Sequence, residues 1–151
     1  MSGVGGDLLP RVKFYVHLEH ELPGGFDLQR VVSIGPGAVA EAMRVAKAGA
    51  PLAGLEEIEV TLVSDGIIAA VHVDFMAIDG ATDVITFDHG EIVISTETAA
   101  VQAVENGNSI ERETALYVVH GLLHLAGYAD KTDNEFTQMA EIQAEILAKV
   151  F

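Results

Sequence analysis

The chain has 151 residues, and its 8 Lys and Arg against 23 Asp and Glu leave a formal net charge of −15, which excludes a self-sufficient nucleic-acid clamp because like charge repels a phosphate backbone. The absence of cysteine removes disulfides, thiolate zinc sites and thiol nucleophiles, so any metal must be held by imidazole and carboxylate. Half the residues are apolar, enough for the core of one domain, while no run reaches the ~18 apolar residues of a membrane span.

From the N-terminus, residues 1–7 have neither a basic start nor an apolar stretch, so the expectation is a cytoplasmic protein without a signal peptide. Residues 11–19 alternate Val12, Phe14, Val16 and Leu18 with polar neighbours, the period of a strand with one buried face. Residues 21–35, punctuated by Pro and Gly, read as a connector. Pro36 suits the first turn of a helix through Val39, Met43 and Ala46 that Gly49 stops. Ile58, Val60 and Leu62 mark a second strand; Ser64 or Asp65 caps a helix through Val71 and Phe75, and Asp79-Gly80 is a turn. Residues 84–87 and 91–94, separated by Asp88-His89-Gly90, read as paired or consecutive strands of one sheet. Helices over about 97–104, 110–126 and 133–150 follow. Asn108 with Glu111, and Thr132 with Glu135, have the spacing of capping boxes, and Met139, Ile142, Ile146 and Val150 form the last helix's apolar stripe. This order predicts one α+β domain over residues 1–151, a single mixed β-sheet of about four strands packed with about five helices.

Chemistry concentrates in residues 120–130. On a helix, residues four apart share a face, so the imidazoles of His120 and His124 can reach one divalent ion. An i, i+4 histidine pair alone is a common accident, but Leu122, Leu123 and Leu125 beside it would leave an unpaired imidazole short of hydration. Gly127 lies where a left-handed residue can end the helix and return the chain, which makes Asp130 a third ligand. Three protein ligands with a fourth position for water is the arrangement of a catalytic zinc. His17, His20, His72 and His89 lack such partners and read as surface or core residues, with His89 in a turn able to approach the site.

Residues 120–130 resemble the signature His-Gly-x-Leu-His-Leu-x-Gly-Tyr-Asp-His of the YbeY-type metal-dependent endoribonucleases, a family implicated in ribosomal RNA maturation. Every specified position from His120 to Tyr128 matches, whereas Ala129 stands in place of Asp and Asp130 in place of the third His. Thr82-Asp83-Val84-Ile85-Thr86-Phe87 is similar to the family's Thr-Asp-Val-Leu-Ser-Phe, and Gly90-Glu91-Ile92 to its Gly-Asp-Ile strand, so the resemblance covers about residues 55–151. It implies one Zn²⁺ per chain on His120, His124 and Asp130, phosphodiester hydrolysis by a metal-activated water, and ribosomal RNA or the small ribosomal subunit as partner, with neither membrane nor DNA. Asp130 in place of imidazole makes the metal a weaker Lewis acid and favours harder ions. The family's Arg before the Thr-Asp-Val segment falls at Met76, which removes a phosphate contact, and Arg112 is a candidate substitute. With a charge of −15, a protein partner is expected to deliver the RNA. Asp83 and Glu91 can orient water, although a turn cap and a strand-edge residue are their simpler roles.

Two further functions follow from the same residues. Paired histidines on a helix, with residues 91–94 as a possible edge strand, suit a metallopeptidase, but Gly121 occupies the place of the catalytic Glu in His-Glu-x-x-His. A noncatalytic, metal-stabilised ribosome-assembly factor accords with the acidic surface and the missing Arg.

Overall fold

Strand pairing begins at residue 11 in the computed structural model, which describes residues 9–18, 21–76 and 84–151, with the backbone alone for 71–76. Strands β1 (Arg11–His17) and β2 (Glu57–Val63) run parallel, with Arg11 beside Glu57 and His17 beside Val63. Strands β3 (Val84–Phe87) and β4 (Glu91–Ser95) form an antiparallel pair, and β4 lies parallel to β2, giving the order β1-β2-β4-β3 in one mixed sheet. Period-two alternation sorts the side chains: Ile58, Val60, Leu62, Ile92 and Ile94 are fully buried in one core, and Val63 and Val93 in another on the opposite face.

The helices are α1 (Leu28–Ser33), α2 (Gly35–Val45), α3 (Asp65–Met76), α4 (Thr96–Asn106), α5 (Ile110–Leu125) and α6 (Asp133–Val150), with a 3-10 turn at Pro51–Gly54. Ile68 of α3 joins Val63, Ile85 and Val93 in the smaller core. In the larger core α5 is the hub, touching α1, α2, α4, α6, β3 and β4. It can fill that position because it is apolar almost all round, burying Val118, Val119, Leu122, Leu123 and Leu125. Among the described residues no helix is long and apolar enough to cross a membrane. The α+β class and the mixed sheet agree with the sequence reading.

Three local expectations are corrected. Residues 21–35 are not all connector: Asp27 caps α1, its carboxylate accepting from Arg30 N at 3.3 Å, and six residues that bury only Val31 are too short to show a period. Asn108 is not the cap of α5. Gly107, at φ +70°, ends α4 and turns the chain so that Ser109 holds the cap position, its Oγ accepting from Arg112 N at 3.1 Å, while Glu111 accepts from Asp27 N. Residues 91–94 are not an edge: β4 lies between β2 and β3, with Ile92, Val93 and Ile94 covered on both faces, and among the described residues the edges are β1 and β3. The box of Thr132 and Glu135 forms as expected and starts α6. The expected turn at Asp79-Gly80, the Asp83 carboxylate, Glu19, His20 and the side chains of His72 and Met76 lie outside the described residues.

Candidate metal centre

The site is built by the way α5 is seated and ended. A Cβ at Gly121 would lie 2.8 Å from Ile92 Cγ2 and 2.9 Å from Cδ1, so the missing side chain lets α5 rest directly on β4. The helix then closes in a Schellman motif: Tyr128 N donates to the Leu123 carbonyl and Gly127 N to that of His124, both at 3.0 Å, with Gly127 at φ +98°. A Cβ on Gly127 would also meet Lys47 Cβ at 3.1 Å and Ala50 Cβ at 3.2 Å. The returning loop is fastened to the end of α2 by Lys47 N donating to the Ala126 carbonyl, by Tyr128 Oη donating to the Val45 carbonyl at 2.7 Å, and by Lys47 Nζ over the Tyr128 ring. This return carries Asp130 back to the histidine face.

There the Nε2 atoms of His120 and His124 lie 3.0 Å apart, with Asp130 Oδ2 at 3.4 and 3.7 Å from them. Donors sharing one ion through ~2.0–2.2 Å bonds stand roughly 3.3 to 3.6 Å apart at tetrahedral corners, and the observed triangle brackets that spacing. Proton placement points the same way. His120 Nδ1 faces Gln143 Oε1 at 2.6 Å and His124 Nδ1 faces the Tyr128 carbonyl at 3.0 Å. The Tyr128 carbonyl can only accept, so a neutral His124 ring carries its proton on Nδ1 and turns its Nε2 to the cluster, and His120 is turned the same way with Gln143 Oε1 opposite its Nδ1. Two imidazole nitrogens and a carboxylate oxygen converge, a donor set that fits a divalent cation. Burial, reinforced by the neighbouring His120, pushes the His124 pKa below its ordinary value of 6.5 against the opposing pull of Asp130, which favours the neutral ring a metal needs.

Gln143 is the residue the sequence reading misses. It sits on α6 between Ile142 and Ile146 of the apolar stripe, and a polar side chain on that flank is the signal that marks it. Orienting partners of metal-bound histidines typically contribute 10–100-fold in affinity, so Gln143→Leu is expected to weaken metal binding by that factor without altering the fold, measured by competition with a chelator. The His124 shift gives a second expectation. Since the unfolded chain protonates this ring more readily than the folded one does, stability falls as pH drops below about 6.5. Thermal melts of metal-free protein from pH 8 to 5 should show the decline, and His124→Gln should reduce it.

The remaining candidates lie apart from this cluster. His89 is 70 % exposed, pairs with Glu91 at 3.3 Å and stacks on Phe87. Glu91 is thereby engaged at the start of β4. His17 is exposed at the end of β1. Arg112 stands in the first turn of α5, its guanidinium 5.9 Å from the Phe151 ring centroid. Gly121 faces Ile92 rather than the histidines, so a side chain at this position would enter the sheet, and a glutamate there could not serve as the base of a peptidase.

A family model described as "Endoribonuclease YbeY" matches residues 36–151. Among curated proteins, the chloroplastic Endoribonuclease YBEY of Arabidopsis thaliana is 31% identical over 159 residues, covering 87% of this chain and 27% of its own length. The Endoribonuclease YbeY of Moorella thermoacetica is 35% identical over 127 residues (72% of this chain, 81% of its own), and that of Acholeplasma laidlawii 36% over 102 residues (62% and 74%). The solution structure of a Thermotoga maritima protein superposes with a TM-score of 0.62 at 24% identity, covering 92% of this chain and 88% of that one, a likeness of fold.

Proposed function

The chain belongs to the YbeY endoribonuclease family, and from that premise we propose that it hydrolyses RNA with one divalent ion, zinc in the simplest case, on His120, His124 and Asp130. The convergence of two imidazole nitrogens and a carboxylate oxygen carries this reading. Those three residues would hold an ion that lowers the pKa of a bound water toward neutrality and offers an electrophile for a phosphoryl oxygen. The chain's own residues supply position: Gln143 and the Tyr128 carbonyl fix both ring orientations, and the Gly127 turn fixes the carboxylate. Asp130→His is expected to keep one metal per chain and to shift preference toward zinc over harder ions, read by elemental analysis and chelator competition. Loss of the metal would mean that the third ligand lies elsewhere.

The proposed substrate is ribosomal RNA of the small subunit, processed in the cytoplasm and delivered by a protein partner. Charge supports delivery. Arg11 and Lys13 pair with Glu57, Arg44 and Lys149 with Glu41, while Arg30 and Arg112 lie over Phe151 and Lys47 over Tyr128. These cations are engaged within the protein, which leaves few to gather phosphates. Arg112 is the loosest of these, 5.9 Å from the Phe151 ring centroid, and eight residues before His120 it lies about 12 Å away along α5, at reach of a phosphate further along the strand than the one being cut. The test is cleavage of a ribosomal RNA fragment, free and within small-subunit particles. Cleavage that is efficient only in the particle is expected; absence of cleavage in both would favour a noncatalytic assembly role.

A further inference from the structure

Two cavities meet beside His120. The smaller, about 40 Å³, opens between His120, Asp130, Phe136 and Gln143. The larger, about 230 Å³, shares His120, Phe136 and Gln143 with it and extends along α5 to Glu113, with Gln102 and Asn106 of α4 on its other wall. Glu113, Tyr117 and His120 follow one another at steps of four and three residues, so a single stripe of α5 forms the floor. Its length from Glu113 to His120 is about 10 Å.

Glu113 is only 2 % exposed, and a carboxylate so buried is ordinarily paired with a cation. Its hydrogen-bond partners are instead neutral: Asn108 Nδ2 donates to Oε1 at 3.0 Å, and Asn106 Nδ2 spans both oxygens at 3.2 and 3.4 Å. Among the described residues it enters no ion pair. Two amides leave part of the roughly four acceptor positions of a carboxylate unused. At the shared mouth, Phe136 is 61 % exposed, a flat apolar ring beside a polar cavity and next to the metal centre.

We infer that the larger cavity is a subsite for the base at the scissile phosphate and that it selects guanine, Phe136 stacking on the ring and Glu113 accepting from N1–H and the exocyclic N2–H. This rests on the endoribonuclease reading above. At about 230 Å³ the cavity has room for one base. Unpaired bases stacked on an aromatic side chain and read along their Watson–Crick edges are the general mode of sequence-specific RNA recognition. Guanine presents two adjacent donors on that edge. Adenine and cytosine each place a ring-nitrogen lone pair beside their amino group, and uracil sets its single N–H between two carbonyls, so each of these turns an acceptor toward the carboxylate. The stripe from His120 to Glu113 matches the reach from a phosphate to the far edge of its own purine.

The test maps the cuts made by zinc-loaded protein in a single-stranded RNA with balanced base content, beside titrations of guanosine and adenosine 3′-monophosphates followed by NMR. Cuts at guanine should outnumber those at other bases by about tenfold or more, and the guanine nucleotide should bind tighter by a similar factor. Inosine, which lacks the exocyclic amine, should lose several-fold of that preference. Glu113→Gln should reduce the guanine-to-adenine ratio to about threefold or less. Phe136→Ala, at an exposed position, should weaken both nucleotides about tenfold and leave their ratio unchanged. If Glu113→Gln does not fold, inosine and Phe136→Ala decide. Active protein that cuts all bases equally, or equal affinity for the two nucleotides, overturns the guanine subsite and leaves the hydrolase reading standing. Guanine-selective binding without cleavage retains the subsite and overturns that reading.

Discussion

Replacing His124 by alanine is expected to abolish stoichiometric metal and to lower RNA cleavage by more than about a hundredfold while the chain stays folded. Removing this ring leaves His120 and Asp130, and two donors hold a catalytic ion poorly where three are the rule. Changes to the partners of metal ligands alone cost 10–100-fold, and loss of a ligand costs more. Folding is spared because His124 lies outside the buried core and the loop after it keeps its other fastenings, from Tyr128 Oη to Val45 and from Lys47 N to Ala126. Mass spectrometry under native conditions and circular dichroism check the two halves together. A folded variant with full metal content would remove His124 from the site.

Gly121→Glu, which would complete a His-Glu-x-x-His sequence, is expected to lower the melting temperature by more than about 10 °C and to create no peptidase activity. Its Cβ would collide with Ile92 at 2.8 Å, and overpacking of this kind costs ~1–3 kcal/mol. The carboxylate that follows would enter the core without a partner, at a further cost of several kcal/mol. For a domain of this size each kcal/mol shifts the midpoint by ~2–4 °C. Calorimetry together with a peptide-cleavage assay gives the answer; a stable variant that hydrolyses peptides would show that position 121 faces the metal after all.

Long elements with regular periods were legible in the sequence, since Ile58, Val60 and Leu62, or Met139, Ile142 and Ile146, carry their period within the element. The short α1 was not, because a single buried valine makes no pattern and its cap, Asp27, resembles any loop aspartate. The cap of α5 was misread by one residue, since Asn108 and Ser109 are both good caps and only the left-handed Gly107 determines which of them is extended. Edge and interior strands differ by a crossover, and Glu91 at the start of β4 gives the run the look of an edge. The convergence of His120, His124 and Asp130 was visible because they fall within eleven residues and Gly127 announces the turn. Gln143 was hidden, since what brings it to His120 is the crossing of α6 over α5, a long-range fact that local spacing does not encode. The burial of Glu113 among asparagines is likewise not encoded locally, since it emerges from the α4–α5 turn.

The central claim, that RNA hydrolysis depends on one ion held by His120, His124 and Asp130, is tested most directly by titrating zinc into chelator-stripped protein while following cleavage of the same RNA. Cleavage should be absent in the stripped protein and should rise to a plateau at one equivalent of zinc per chain. Undiminished cleavage by the stripped protein would contradict the claim.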